Sequence, residues 1–211
     1  TKERILEIKK IKNKKFLFNK NIKIKKKNFN LLVMSTSSKN RLTHLKKICF
    51  VKKIDNLLIE KIAFQNFQEY LKAIKLLEQK KIKNWVNCAR NAQPIYKYLR
   101  NKIKINEKLI IYVRGNSWNL ASNAIHFIDL FYFLLQKKSK FKEISTNQIK
   151  IIPSKRFGYL EVTGKVKLIN SNFDQIILED KTTNRKNILV VKIINGKQEF
   201  IDIGYRFIPK Y

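Results

Sequence analysis

Histidine, cysteine and arginine are scarce in this 211-residue sequence, with two, two and eight copies, so the surroundings of each are informative. His126 lies in an apolar stretch between Ile125 and Phe127. Helical spacing puts Ser122 (i−4) and Asp129 (i+3) on its face. A carboxylate at either place can orient an imidazole and raise its basicity, as a general acid/base requires. The same pattern also describes a histidine packed in a core. Ser122 can exchange a hydrogen bond but carries no charge. Lys61 follows Glu60 at the end of a short apolar run. There an ammonium can bind a substrate hydroxyl and favour its deprotonation; as one of 39 lysines it can equally be a solvated charge. Glu60 can fix the direction of that lysine or stand as an exposed acid. Arg90 and Asn87 follow another run and can bind polar or anionic groups. Cys49 and Cys88 form no C-x-x-C pair, and the histidines no H-x-x-x-H pair. The two thiols read as reduced and packed, with no metal site.

The elements that must position these residues come in two styles. Residues 29–35 (FNLLVMS) form a continuous apolar run, as expected of a buried parallel strand. Thr36, Ser37 and Ser38 then supply turn and N-cap chemistry for a helix to about residue 49. Residues 56–60 (NLLIE) repeat the strand, and Phe67, Tyr70, Leu71, Ile74 and Leu77 recur at helical spacing. Residues 84–87 read as a third strand, and Pro94 suits the first turn of the helix that follows. Alternation of this kind predicts a doubly wound α/β layer with ligands beyond the carboxyl ends of its strands. After a strand at 109–113 and an apolar helix at 120–136, five strand-like segments follow. They lie at 141–152, 159–169, 175–178, 188–194 and 199–205, with a turn signal at Asn195-Gly196. The fold class expected is therefore α/β: a partial Rossmann-like parallel sheet, then an α/β domain on an open, largely antiparallel sheet. The boundary falls between residues 1–106, whose first 28 are a lysine-rich periphery, and residues 107–211.

Composition narrows the class. The chain is 44% hydrophobic with 24 aromatic residues, too rich for disorder throughout. Its longest apolar stretch contains Asp129 and is too short to span a membrane. No targeting segment is evident, so a cytoplasmic protein is expected. The formal charge of +32 suggests a polyanion partner, but lysine carries nearly all of it. Nucleic-acid readers favour the arginine fork, and Lys with abundant Asn, Ile and Phe is what an AT-rich coding sequence yields. The charge alone does not decide function, and nucleic acid is not the partner expected.

Four segments, in order, resemble the Gfo/Idh/MocA oxidoreductases, the glucose-fructose oxidoreductase and inositol dehydrogenase family. VMSTSSKNR is similar to that family's strand and T-P-N-x-x-H turn, with Ser37 for Pro, Ser38 for Asn and Arg41 for His. LLIEKIAF resembles its E-K-P signature, with Ile62 for Pro. WVNCARNAQPIY is similar to the segment in which an Arg, here Arg90, precedes a Pro four residues on. WNLASNAIHFIDL resembles its G-x-L-x-D-x-G-x-H-x-x-D helix, keeping His126 and Asp129 and placing Ser122 where Asp usually stands.

The resemblance implies an NAD(P)-dependent oxidoreductase acting on a sugar or sugar derivative by hydride transfer. It makes Lys61 and His126 catalytic, and Arg90, Asn87, Asp129 and Ser122 substrate-binding. Thr36, Ser37 and Glu60 fall on the cofactor side, Thr36 and Ser37 being equally compatible with a helix N-cap. A homo-oligomer through the C-terminal sheet is implied as well. The cofactor is NAD or NADP, yet the first glycine is Gly115, so the glycine-rich pyrophosphate turn is not in these residues. Two other readings stand beside this one: a non-catalytic basic RNA- or ribosome-associated protein, and a pseudoenzyme of the same family.

Overall fold

The structure, a computed structural model, describes residues 28–51, 53–154, 157–181, 189–203 and 206–210. The lysine-rich periphery up to residue 27 lies outside them. The first layer is three parallel strands in the order β1-β2-β3: β1 (Asn28–Met34), β2 (Lys53–Glu60) and β3 (Lys83–Asn87). Met34 pairs with Ile59, and Ile59 with Val86. Helices α1 (Arg41–Val51) and α2 (Phe67–Gln79) return the chain over one face. There Met34, Leu45, Leu57, Ile59, Ala73 and Leu77 are buried together. Asn66 caps α2, its side chain accepting from the Glu69 N–H at 3.0 Å. Pro94 opens α3 (Pro94–Lys102).

One expectation changes here. A strand apolar at successive positions should be buried on both faces, but the helices cover only one. Leu31, Val33 and Trp85 remain more than half exposed among the described residues.

The second layer has seven strands in the order β10-β9-β8-β4-β7-β6-β5. These are β4 (Leu109–Asn116), β5 (Phe141–Pro153), β6 (Leu160–Asn170), β7 (Gln175–Lys181), β8 (Val190–Asn195), β9 (Gln198–Ile203) and β10 (Arg206–Lys210). All neighbours are antiparallel except β4 and β7. Strand β10 carries no clear signal in the sequence. Asn195 pairs with Gln198 across the two-residue turn that Asn195-Gly196 signals, with Gly196 at φ +58°.

Helix α4 (Leu120–Leu135) lies on this sheet. Its Phe127, Leu130, Phe131 and Leu134 are buried against Ile111, Val113, Ile176, Leu178, Val191 and Ile193. Each such side chain contributes roughly 1.5–3 kcal/mol, enough in aggregate to hold the helix that carries His126. Among the described residues no helix is long and apolar enough to cross a membrane.

Candidate active site at the junction of the two sheets

The site begins where the parallel strands end. Arg41 opens α1 and is almost fully buried. Its guanidinium donates to the carbonyls of Thr36, Glu60, Ile62 (2.6 Å) and Ala63 (2.9 Å), which ties the turn after β1 to the loop after β2. The Lys61–Ile62 peptide in that loop is cis. Glu60 accepts the Lys61 backbone N–H at 3.0 Å with one oxygen and the Asn87 side chain at 3.0 Å with the other. Its carboxylate is thus taken up locally, and the Lys61 ammonium reaches across to α4. There it donates to Asn123 Oδ1 at 2.6 Å and to the Ser122 carbonyl at 3.0 Å.

The start of α4 is held by a residue far away in sequence. Asn119 is left-handed (φ 64°) and its side chain does not cap the helix. Asp180, at the end of β7 and buried, accepts the N–H groups of Trp118 and Leu120, each at 3.2 Å. It takes the place of an N-cap, since unsatisfied amides at a buried helix start are costly. Asn123 Nδ2 donates to the Trp118 carbonyl at 2.6 Å, which leaves its Oδ1 facing the lysine.

His126 lies one turn further along. Its Nδ1 is buried and has no hydrogen-bond partner among the described residues. Burial, then the nearby Lys61 and Arg90 cations, push its pKa below the ordinary histidine value, with Glu60 opposing. It is therefore neutral near pH 7 and able to take a proton. Neither residue on its helical face bonds the ring. The Ser122 hydroxyl donates to the Asn119 carbonyl at 3.4 Å, and Asp129 accepts from Asn91 at 2.8 Å. Burial raises the Asp129 carboxyl against that hydrogen bond. Arg90 stacks its guanidinium 4.3 Å from the Phe127 ring centre. The Cys88 thiol is pushed up to about 11, by burial first and by Asp129 next, so it is a packed thiol and not a nucleophile near neutrality.

Two adjacent cavities use these residues. The larger, about 640 Å³, is lined by Thr36, Glu60, Lys61, Ser122, Tyr159 and Glu161 among others. The smaller, about 320 Å³, is lined by Arg90, Gln93, Trp118, Asn123, His126 and Phe127. Asn123 joins them, because it walls the smaller cavity and holds the lysine of the larger. The structure therefore groups Thr36, Glu60, Lys61 and Ser122 on one side and Arg90 and His126 on the other. Asn87 is attached through Glu60. Ser37 and Asp129 line neither cavity; the Ser37 hydroxyl bonds Tyr159 and the Lys39 N–H, which is N-cap behaviour.

Sequence reasoning passes over Asn123, Asp180, Tyr159 and Glu161. Asn123 carries a readable signal, an amide three residues before His126 inside the helix motif. The other three reach the site only through sheet pairing and loop closure.

No protein-family model and no curated protein matches the chain. Solved structures do match its fold. One is a dehydrogenase, MviM, from Clostridium difficile: 14% identical, TM-score 0.55, covering 86% of this chain and 62% of that one. Another is the WlbA dehydrogenase from Bordetella pertussis in complex with NADH and UDP-GlcNAcA: 13% identical, TM-score 0.67, covering 86% and 59%. A third is a super-repressor mutant of Gal80p from Saccharomyces cerevisiae: 12% identical, TM-score 0.65, covering 86% and 61%. The chain thus shares the fold of these proteins, as the sequence resemblance to Gfo/Idh/MocA oxidoreductases leads one to expect, and it spans about three fifths of their length.

Proposed function

We propose that this chain forms the substrate side, and part of the cofactor side, of an NAD(P)-dependent oxidoreductase acting on a secondary alcohol of a sugar derivative. In this proposal residues 1–106 belong to the cofactor layer, and residues 107–211 serve substrate binding and self-association through the open sheet. One observation carries it: the Lys61 ammonium, at the carboxyl end of a parallel strand, is hydrogen-bonded to the helix that bears a half-buried, neutral His126. Ligands of open parallel sheets lie at that strand end.

The polar lining of the larger cavity is compatible with one end of a nicotinamide cofactor. Thr36 and Glu60 would hold the nicotinamide-ribose end, while the pyrophosphate needs a glycine-rich turn that these residues lack. When bound, the nicotinamide supplies the hydride acceptor. The rest falls to side chains of this chain. Lys61 binds the substrate hydroxyl through its ammonium and stabilises the developing alkoxide. His126 takes the hydroxyl proton on a ring nitrogen, for which its neutral state is required. Arg90, with no acid beside it among the described residues that line the smaller cavity, suits an anionic substituent such as a sugar carboxylate.

The test is turnover, in a parent protein that adds a glycine-rich cofactor turn to these residues, with NAD and NADP against a panel of neutral sugars, sugar acids and sugar nucleotides, UDP-GlcNAcA included. Reduced nicotinamide should form with at least one of them. His126→Asn and Lys61→Ala should each slow it by roughly two to four decades without unfolding the protein. Near-normal turnover in both variants overturns the assignment. A non-catalytic role is the second reading, favoured by the uncharged serine at position 122. Under that reading sugars bind and no substrate on the panel is oxidised.

A further inference from the structure

Acids are outnumbered in this chain, 15 against 47 basic residues, and four of the nine between residues 107 and 211 are seen to pair with a cation. Glu107 pairs with Lys104 (3.1 Å), Asp174 with Lys137 (3.1 Å), Glu179 with Lys181 (3.4 Å) and Glu199 with Lys192 (2.7 Å). Among the described residues Glu161 pairs with no cation. It stands near the start of β6, only 5% exposed, and the one hydrogen bond it makes with them is from the Ser122 backbone N–H to Oε2 at 3.3 Å. A carboxylate can accept about four hydrogen bonds, and burying one with a single long bond is unfavourable unless something else completes the set. Glu161 lines the larger cavity together with Lys61 and Ser122, so its remaining acceptor positions are available to a molecule bound there.

We propose that Glu161 is a substrate-binding residue that accepts hydrogen bonds from the hydroxyls of a polyhydroxylated substrate, and so sets which alcohol is offered to Lys61. The proposal rests on reading the larger cavity as a substrate site, and it adds the chemistry of recognition. Electrostatics select the ligand class. A cationic ligand would meet the Lys61 ammonium in the same cavity wall, inside a chain of formal charge +32. Among the described residues no group of three or more His, Cys, Asp or Glu is placed to hold a metal ion. Hydroxyl groups donate to a carboxylate and accept from an ammonium without either conflict. The placement also answers a gap on the helix. Ser122 brings no carboxylate, and Glu161 delivers one to the backbone N–H of that same residue from across the sheet.

The experiment measures binding to the 211-residue chain by saturation-transfer NMR. The probes are myo-inositol, glucose and N-acetylglucosamine, neutral so that net charge does not drive association. At least one should bind saturably. Glu161→Gln, which keeps the shape and removes the charge, should weaken that binding about tenfold or more. Glu161→Asp keeps the charge but withdraws it by one methylene, and should weaken binding as well. It carries the comparison if the glutamine variant unfolds early in urea. Absence of saturable binding of any of the three by the wild type overturns the proposal, as does unchanged affinity in Glu161→Gln. The outcome is separable from the oxidoreductase reading: Glu161-dependent binding without turnover on any substrate refutes the latter and leaves this site standing.

Discussion

Lys61 and Asn123 meet across the junction of the two sheets, with Nζ 2.6 Å from Oδ1, and the same amide donates to the Trp118 carbonyl at 2.6 Å. A side chain that must donate on one side and accept on the other is confined to one orientation. The lysine from the end of a parallel strand is therefore fixed relative to the helix that carries His126.

Asn123→Leu keeps the branching at Cγ and loses both bonds, leaving the Trp118 carbonyl and one lysine donor without that partner. We expect a loss of about 1–3 kcal/mol in unfolding free energy from urea titration, because partners left unsatisfied in a part-buried site carry a desolvation cost. Asn123→Asp retains the acceptor for Lys61 but ends the donation to Trp118, and should recover part of the loss. Equal stability of the wild type and the leucine variant would show that the bridge holds nothing.

The pH response of His126 has a definite sign. Its folded pKa lies below the ordinary 6.5 because burial and two cations oppose the imidazolium. Between those two values the unfolded chain binds the proton and the folded chain does not. The stabilisation is fully present above about pH 6.5 and is lost as pH falls through the folded value. Wild type measured against His126→Gln should therefore lose stability as the pH drops below 6.5, and His44 cancels from the comparison. NMR titration of the His126 ring should give a midpoint under 6.5; a midpoint above it contradicts the burial argument.

Two glycines in left-handed territory should differ sharply. Gly164 has φ +120°, and a Cβ there would sit 2.6 Å from the Gln148 carbonyl oxygen, which is backbone and cannot turn aside. Gly158 has φ +77° with nothing within 4 Å of the same position. Gly164→Ala should cost roughly 2–3 kcal/mol, and Gly158→Ala about 1 kcal/mol from backbone strain alone. Urea midpoints of the two variants give the comparison, and a reversed order would be inconsistent with this packing.

Cofactor affinity follows from the glycine count. With no glycine before Gly115, these residues cannot form the tight turn that brings backbone N–H groups to a pyrophosphate. The 211-residue chain should show no saturable micromolar binding of NADH by calorimetry in moderate salt, the salt serving to screen its charge of +32. Micromolar saturable binding would mean that the dinucleotide is held by other groups.

What was legible in the sequence follows from local periodicity. The runs that became β1, β2 and β3, the apolar stripe of α2, Pro94 at the start of α3 and the Asn195-Gly196 turn all depend on neighbours within a few residues. So does the placement of Lys61 at a strand end and His126 on an apolar helix. Tertiary structure decided which side chains meet. The Lys61–Asn123 bond joins residues 62 positions apart, and Asp180 caps a helix 60 positions upstream. Glu161 shows the physical reason most directly. Along β6 the buried positions are odd at Glu161 and Thr163 but even at Leu168 and Asn170. The change accompanies Gly164 at φ +120° opposite an irregularity in β5 between Asn147 and Lys150. Simple alternation carried back from Leu168 turns Glu161 outward to solvent. The bulge, which exists only once β5 and β6 pair, turns it inward to the cavity.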